Sequence, residues 1–156
     1  MADSTYLKHV VEPFVAQWVS RRIGVALQPQ RSPVGPRADG ALVHFEFDGI
    51  SEDGRIGLLV STSHTVKPGG TRKLHVDASI LLRCTFQRRI MAFVSDDVRQ
   101  NFQNKCDGLL ELSKIELLVC DELTPEMRAG IVKFQTEAKA EVGDKGRIWK
   151  PGGLRG

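Results

Sequence analysis

The chain has 156 residues, 41% hydrophobic and 26% charged, with a formal net charge of +3. This is the composition of one ordinary globular domain, and no apolar run approaches the ~20 residues that cross a bilayer. Residues 143–156 hold four of the 22 basic and one of the 19 acidic residues, leaving 18 of each sign in the body. That balance argues against a strongly basic nucleic-acid-binding domain.

The elements read in chain order. Leu7, Val10, Val11, Phe14, Val15, Trp18 and Val19 form a stripe at helical spacing over residues 4–23. Pro13 lacks a backbone donor, so the helix should kink there or restart after Glu12. Ile23–Leu27 reads as a short edge strand. Gln28–Gly40 is rich in proline and glycine and reads as a loop. Residues 41–64 then read as a β-hairpin. Its first strand puts Val43, Phe45 and Phe47 on one face and His44, Glu46 and Asp48 on the other. Two turns are open. A Ser51–Gly54 loop sets Asp48 opposite Gly57; an Asp53–Gly54 turn sets it opposite Leu59. Either register puts Glu46 and Asp48 on a face with Leu59 and Ser61.

Beyond the hairpin, Thr71 is a helix cap ahead of Leu74, Ala78, Leu81 and Leu82. Arg89–Ser95 reads as a buried strand. Asp96 caps a helix over Val98, Phe102 and Cys106. Lys114–Cys120 is a further strand, which pairs by a right-handed crossover if parallel. Thr124-Pro125 starts a last helix bearing Met127, Ile131, Phe134 and Ala138. The expected organisation is a single α/β domain over 1–142 with a basic, glycine-rich tail over 143–156. Its central mixed β-sheet is flanked by helices.

The order helix, three-strand meander, helix, strand over roughly residues 5–95 resembles the PD-(D/E)xK, or restriction-endonuclease-like, superfamily. The resemblance implies a three-layer fold with an Asp late on the second strand and Glu/Asp-x-Lys on the third. The carboxylates would hold a divalent metal and the Lys would aid water or phosphate. Asp48 stands at the Asp position, but Leu59 and Ser61 stand where the acid and lysine would be. The resemblance therefore implies a degenerate cleft that binds DNA or RNA, or a protein partner, without catalysis and without a cofactor. In the alternative, an active Mg-dependent nuclease has migrated groups, with Asp48 and Glu46 on the metal and Lys67 or Lys73 as the cation.

Candidate phosphate contacts are Lys67, Arg72, Lys73, Arg88 and Arg89, with Arg21 and Arg22. A third reading is a protein–protein module, docking a partner or forming a homodimer through Leu59's face, the last helix or a sheet edge. Cys84, Cys106 and Cys120 match no disulfide framework or zinc spacing. MADSTYLKHVVEPF lacks a signal peptide's basic start and apolar core. The expected location is therefore the cytoplasm.

Overall fold

A computed structural model describes residues 5–148, with side chains described for residues 5–136. A five-stranded mixed sheet lies between helices, in strand order β1-β2-β3-β4-β5. A π-helical turn at Leu7–Val11 leads into α1 (Glu12–Ile23), with Pro13 in the first turn. The backbone stays helical through Val11 and Glu12, so in place of a restart the helix takes in Pro13 beside a π-helical turn, in which the Glu12 N–H donates to the Leu7 carbonyl. There follow β1 (Leu27–Pro36), β2 (Leu42–Ser51), β3 (Ile56–Ser61), α2 (Gly70–Arg83), β4 (Arg88–Phe93), α3 (Asp96–Cys106), β5 (Glu116–Val119) and α4 (Pro125–Ile148).

β1 corrects the loop expected over Gln28–Gly40. Pro29, Pro33 and Pro36 fit there because β1 is an edge strand, pairing only with β2. An edge strand needs backbone donors on one side only. Its register also slips between Gln28 and Gln30 and between Pro33 and Gly35, which accommodates the prolines. β1, β2 and β3 are antiparallel neighbours, whereas β3, β4 and β5 run parallel. The strands of the β4–α3–β5 unit are parallel, which meets the condition for a crossover connection.

Two apolar clusters lie on the two faces of the sheet. One joins α1 and α4 to Leu58, Val60, Ile90 and Ala92. The other joins α2 and α3 to Phe47, Leu59, Met91 and Phe93. Alternation along β3 and β4 sends successive side chains to opposite faces, so these inner strands are apolar throughout. Burying each such Leu, Ile, Val or Phe contributes roughly 1.5–3 kcal/mol.

Caps mark the helix boundaries. Ser95 Oγ accepts from the Val98 N–H at 3.3 Å, so Ser95 caps α3 in place of the expected Asp96. Gly69, at φ +83°, precedes α2 in place of Thr71. Thr124 Oγ1 accepts from the Met127 N–H at 3.1 Å and caps α4 as expected. Gln135, buried on α4, ties that helix to the end of β3. It donates to the Thr62 carbonyl at 2.8 Å and accepts from the His64 N–H at 3.1 Å. α4 continues through Ile148, into the segment read as a tail. Residues 149–156, and the Ala138 side chain assigned to the inner face of α4, lie outside what the structure describes.

Candidate functional site

The site is built around a β-bulge. Gln28 pairs with Ile50 and Gln30 with Phe47, so β2 carries one extra residue between Phe47 and Ile50. Such an insertion shifts the facing of side chains beyond it. Phe47 and Ile50 both join the cluster beneath α2. A Cβ on Gly49 would lie 2.9 Å from Leu27 Cβ and 3.2 Å from Leu58 Cδ2, on the α1 face. Asp48 and Glu46 line a cleft of about 260 Å3 with Lys8 and Glu12, also on the α1 side. Glu46 and Asp48 therefore do not share a face with Leu59, which packs on the α2 side. The expectation of a common face fails because it assumed uninterrupted alternation.

The bulge also splits the sheet. The β2–β3 ladder pairs Ile50 with Gly57 and Gly49 with Leu58, the register of the shorter turn, and stops there. Asp48 takes over: its Oδ2 accepts from the Val60 N–H at 2.7 Å. A carboxylate thus fills the place of a backbone carbonyl where the two strands part.

Groups from three elements meet at that fork. Glu12, in the first turn of α1, is hydrogen-bonded to the Asp48 carboxylate. Lys73 and Asp77 lie one turn apart on α2, with Nζ 3.7 Å from Oδ2. The Lys73 charge acts on Glu12, Asp48 and Asp77 alike. Burial pushes the Glu12 carboxyl up to about 7, the neighbouring Asp48 charge and their shared hydrogen bond add to the rise, and Lys73 and Lys8 oppose it. Burial also raises Asp48, against the Val60 N–H, the Glu12 hydrogen bond and Lys73. Asp77 is raised by burial and held back by Lys73. Below about pH 7, Glu12 holds the shared proton and donates a hydrogen bond to the Asp48 carboxylate.

Of the residues singled out in the sequence, Asp48, Glu46 and Lys73 gather at this fork. Lys73 is largely exposed at its tip. Lys67 and Arg72 lie at the start of α2, Arg72 exposed and Lys67 half-buried. Arg88 and Arg89 lie at the amino-terminal end of β4, where Arg88 pairs with Ile56 at the start of β3. The Arg88 guanidinium holds the Glu116 carboxylate at 2.5 and 2.9 Å. Arg89 donates to the Leu81 and Cys84 carbonyls, both at 2.8 Å, tying down the end of α2. Both are engaged within the fold. Arg21 and Arg22 are exposed on α1, and the Arg22 guanidinium lies 5.4 Å from the Trp18 ring centroid.

Sequence reasoning missed Glu12 and Asp77 as members of the site. Glu12 served there only as a helix boundary, since its partner lies 36 positions on. A weak local signal existed for Asp77: Lys73 and Asp77 stand at i,i+4 on a helix.

Compared with family models, curated proteins and solved structures, the chain matches none. No helix among the described residues is long and apolar enough to cross a membrane.

Proposed function

We propose that this chain is a restriction-endonuclease-like protein whose acidic site has been rebuilt from α1, β2 and α2, and that it hydrolyses phosphodiesters of nucleic acid with a divalent cation. The observation that carries the reading is the meeting of Glu12, Asp48 and Lys73 where β2 parts from β3. The order α1, meander β1–β2–β3, α2, β4, with Asp48 late on the second strand, supports the family resemblance. β3 itself supplies no charge: Leu58, Leu59, Val60 and Ser61 are all buried and uncharged.

The residues fit a small hard cation. Among the described residues no three His, Cys, Asp or Glu side chains are grouped to hold a metal. Mg²⁺ needs fewer, because it binds through one or two carboxylates and keeps water and phosphate oxygens as its other ligands. Glu12 and Asp48, joined by a hydrogen bond, bring two carboxyl groups within reach of one small ion. Glu12 and Asp48 would hold the ion in exchange for their shared proton. When bound, the ion would polarise a phosphoryl oxygen and acidify a water molecule.

The remaining roles belong to the chain. The Val60 N–H fixes the orientation of Asp48. Asp77 holds the Lys73 ammonium, whose charge acts on Glu12 and Asp48 and would offset negative charge on a phosphate there. Lys67 and Arg72, on the approach to α2, offer backbone phosphate contacts that salt would weaken.

Supercoiled plasmid and single-stranded DNA, incubated with Mg²⁺ or Mn²⁺, provide the test. Cutting by the wild type that is lost in Asp48→Asn, Glu12→Gln and Lys73→Ala is the expected result. Retention of DNA at low salt without cutting would overturn the hydrolytic reading and leave a binding cleft. Neither cutting nor retention would overturn both and favour a protein partner.

A further inference from the structure

The carboxyl ends of β4 and β5 open a second cavity, of about 490 Å3, which the chemistry above does not use. Its place follows from topology. β4 leads into α3, whose Val98 and Phe102 pack in the cluster shared with α2. β5 leads into α4, whose Ile131 packs in the opposite cluster, shared with α1. Connections that leave neighbouring parallel strands towards opposite faces part above the sheet. Open α/β sheets bind ligands in the crevice so formed.

The walls indicate what would fit. Val119, Ile131 and Val132 give an apolar side, with Val132 45% exposed and so presented to an incoming molecule. The rim is acidic: Asp96, Asp97 and Asp121 line it, with Arg128 on the α4 side. Asp96 is neutralised by Arg99 at 2.7 Å. Among the described residues, no side-chain hydrogen bond or ion pair engages the Asp97 or Asp121 carboxylates, and their charges remain for a ligand. The first turn of α3 already holds Asp96 and Asp97, so the positive end of its helix dipole is answered from within the chain. That disfavours phosphate and other anions.

We propose that this crevice binds a small organic ammonium compound, its charged head at Asp97 and Asp121 and its apolar body against Val119, Ile131 and Val132. A volume of this size lies in the range of small-molecule sites. The proposal does not depend on the phosphodiester reading, since the two sites share no residue.

The test uses the full chain, phenethylamine as the probe, and 3-phenylpropionate as an anion of similar shape. Calorimetry should show saturable binding of the amine and none of the carboxylate, with methyl NMR shifts at Val119, Ile131 and Val132. Asp97→Asn with Asp121→Asn should weaken binding by about tenfold or more. Val132→Trp fills the crevice from an exposed position; it should abolish binding while leaving the melting temperature and DNA retention unchanged. Equal binding of the two probes would overturn the proposal. So would absence of amine binding at millimolar concentration, or affinity unchanged in both variants.

Discussion

Glu12→Gln isolates the electrostatic cost of the fork. Glu12 titrates at about 7 in the fold, against an ordinary value of 4.5. Between those values the folded chain keeps a proton that the unfolded chain releases. The contribution of Glu12 is therefore fully present below pH 4.5 and is lost as pH rises through 7. A shift of this size corresponds to ~3 kcal/mol at ~1.4 kcal/mol per unit. Glu12 is only half-buried, and solvent screening reduces this to ~1–2 kcal/mol. Glutamine cannot ionise, and its amide still donates to Asp48. The variant should match the wild type within ~0.5 kcal/mol at pH 4.5 and exceed it by ~1–2 kcal/mol at pH 8. For a domain of this size the gain is roughly 3–6 °C in melting temperature. Calorimetry at fixed salt across pH 4.5–8.5 reads the difference directly. A Glu12→Gln shift in Tm that is the same at both ends of that range would refute the proton sharing. Mg²⁺ should stabilise the wild type more than the variant at pH 8, because the ion replaces the proton that Glu12 no longer holds.

Three further outcomes follow from the same geometry. Asp48→Asn keeps an acceptor for the Val60 N–H and Asp48→Ala does not, so denaturant titration should find the Asn variant more stable by ~1–2 kcal/mol; equal stabilities would show that this hydrogen bond contributes nothing. A Cβ at Gly57 would clash with the Phe86 ring, 2.5 Å from Cδ2 and 2.7 Å from Cζ. Gly57→Ala should therefore cost ~1–3 kcal/mol, and Phe86→Leu in the same chain should recover part of it. Arg88 is spent on Glu116 and lies away from the fork, so Arg88→Ala should leave the salt dependence of DNA retention unchanged, whereas Lys73→Ala should reduce its slope.

The sequence carried the helices well, because each buries a stripe at a spacing that only a helix satisfies: Leu74, Ala78 and Leu81 on α2, Val98, Phe102 and Cys106 on α3. β2 to β5 were legible for the matching reason, a period of two or an unbroken apolar run. β1 was not. Its three prolines signal a loop locally, and only its position at the sheet edge makes them harmless. The facing of Asp48 was hidden as well, since the extra residue in β2 reveals itself only through pairing with β1. Glu12 joined the site through tertiary contact alone, and no local pattern links it to Asp48. Glu46 and Asp48 can be named from the sequence because they stand two positions apart on one strand, and Lys73 because the family resemblance calls for a cation that β3 lacks and the segment after it can supply.

The fork at Asp48 also divides the sheet mechanically. On one side, β3, β4 and β5 form a block enclosed by helices on both faces. On the other, β1 and the first part of β2 form a two-stranded ribbon whose outer end, around Arg37–Leu42, is exposed. Backbone pairing joins ribbon to block only at Gly49 and Ile50, the Asp48 carboxylate adds one bond, and Leu27 and Phe47 at the ribbon's root pack into the two clusters. The outer part of the ribbon, residues 37–44, is exposed and can therefore open with a small fraction of the free energy that unfolds the block. Asp48 stands at the root of that exposed tip, one residue beyond the buried Phe47, so the acidic cleft lies where the part of the sheet that opens readily meets the part that does not.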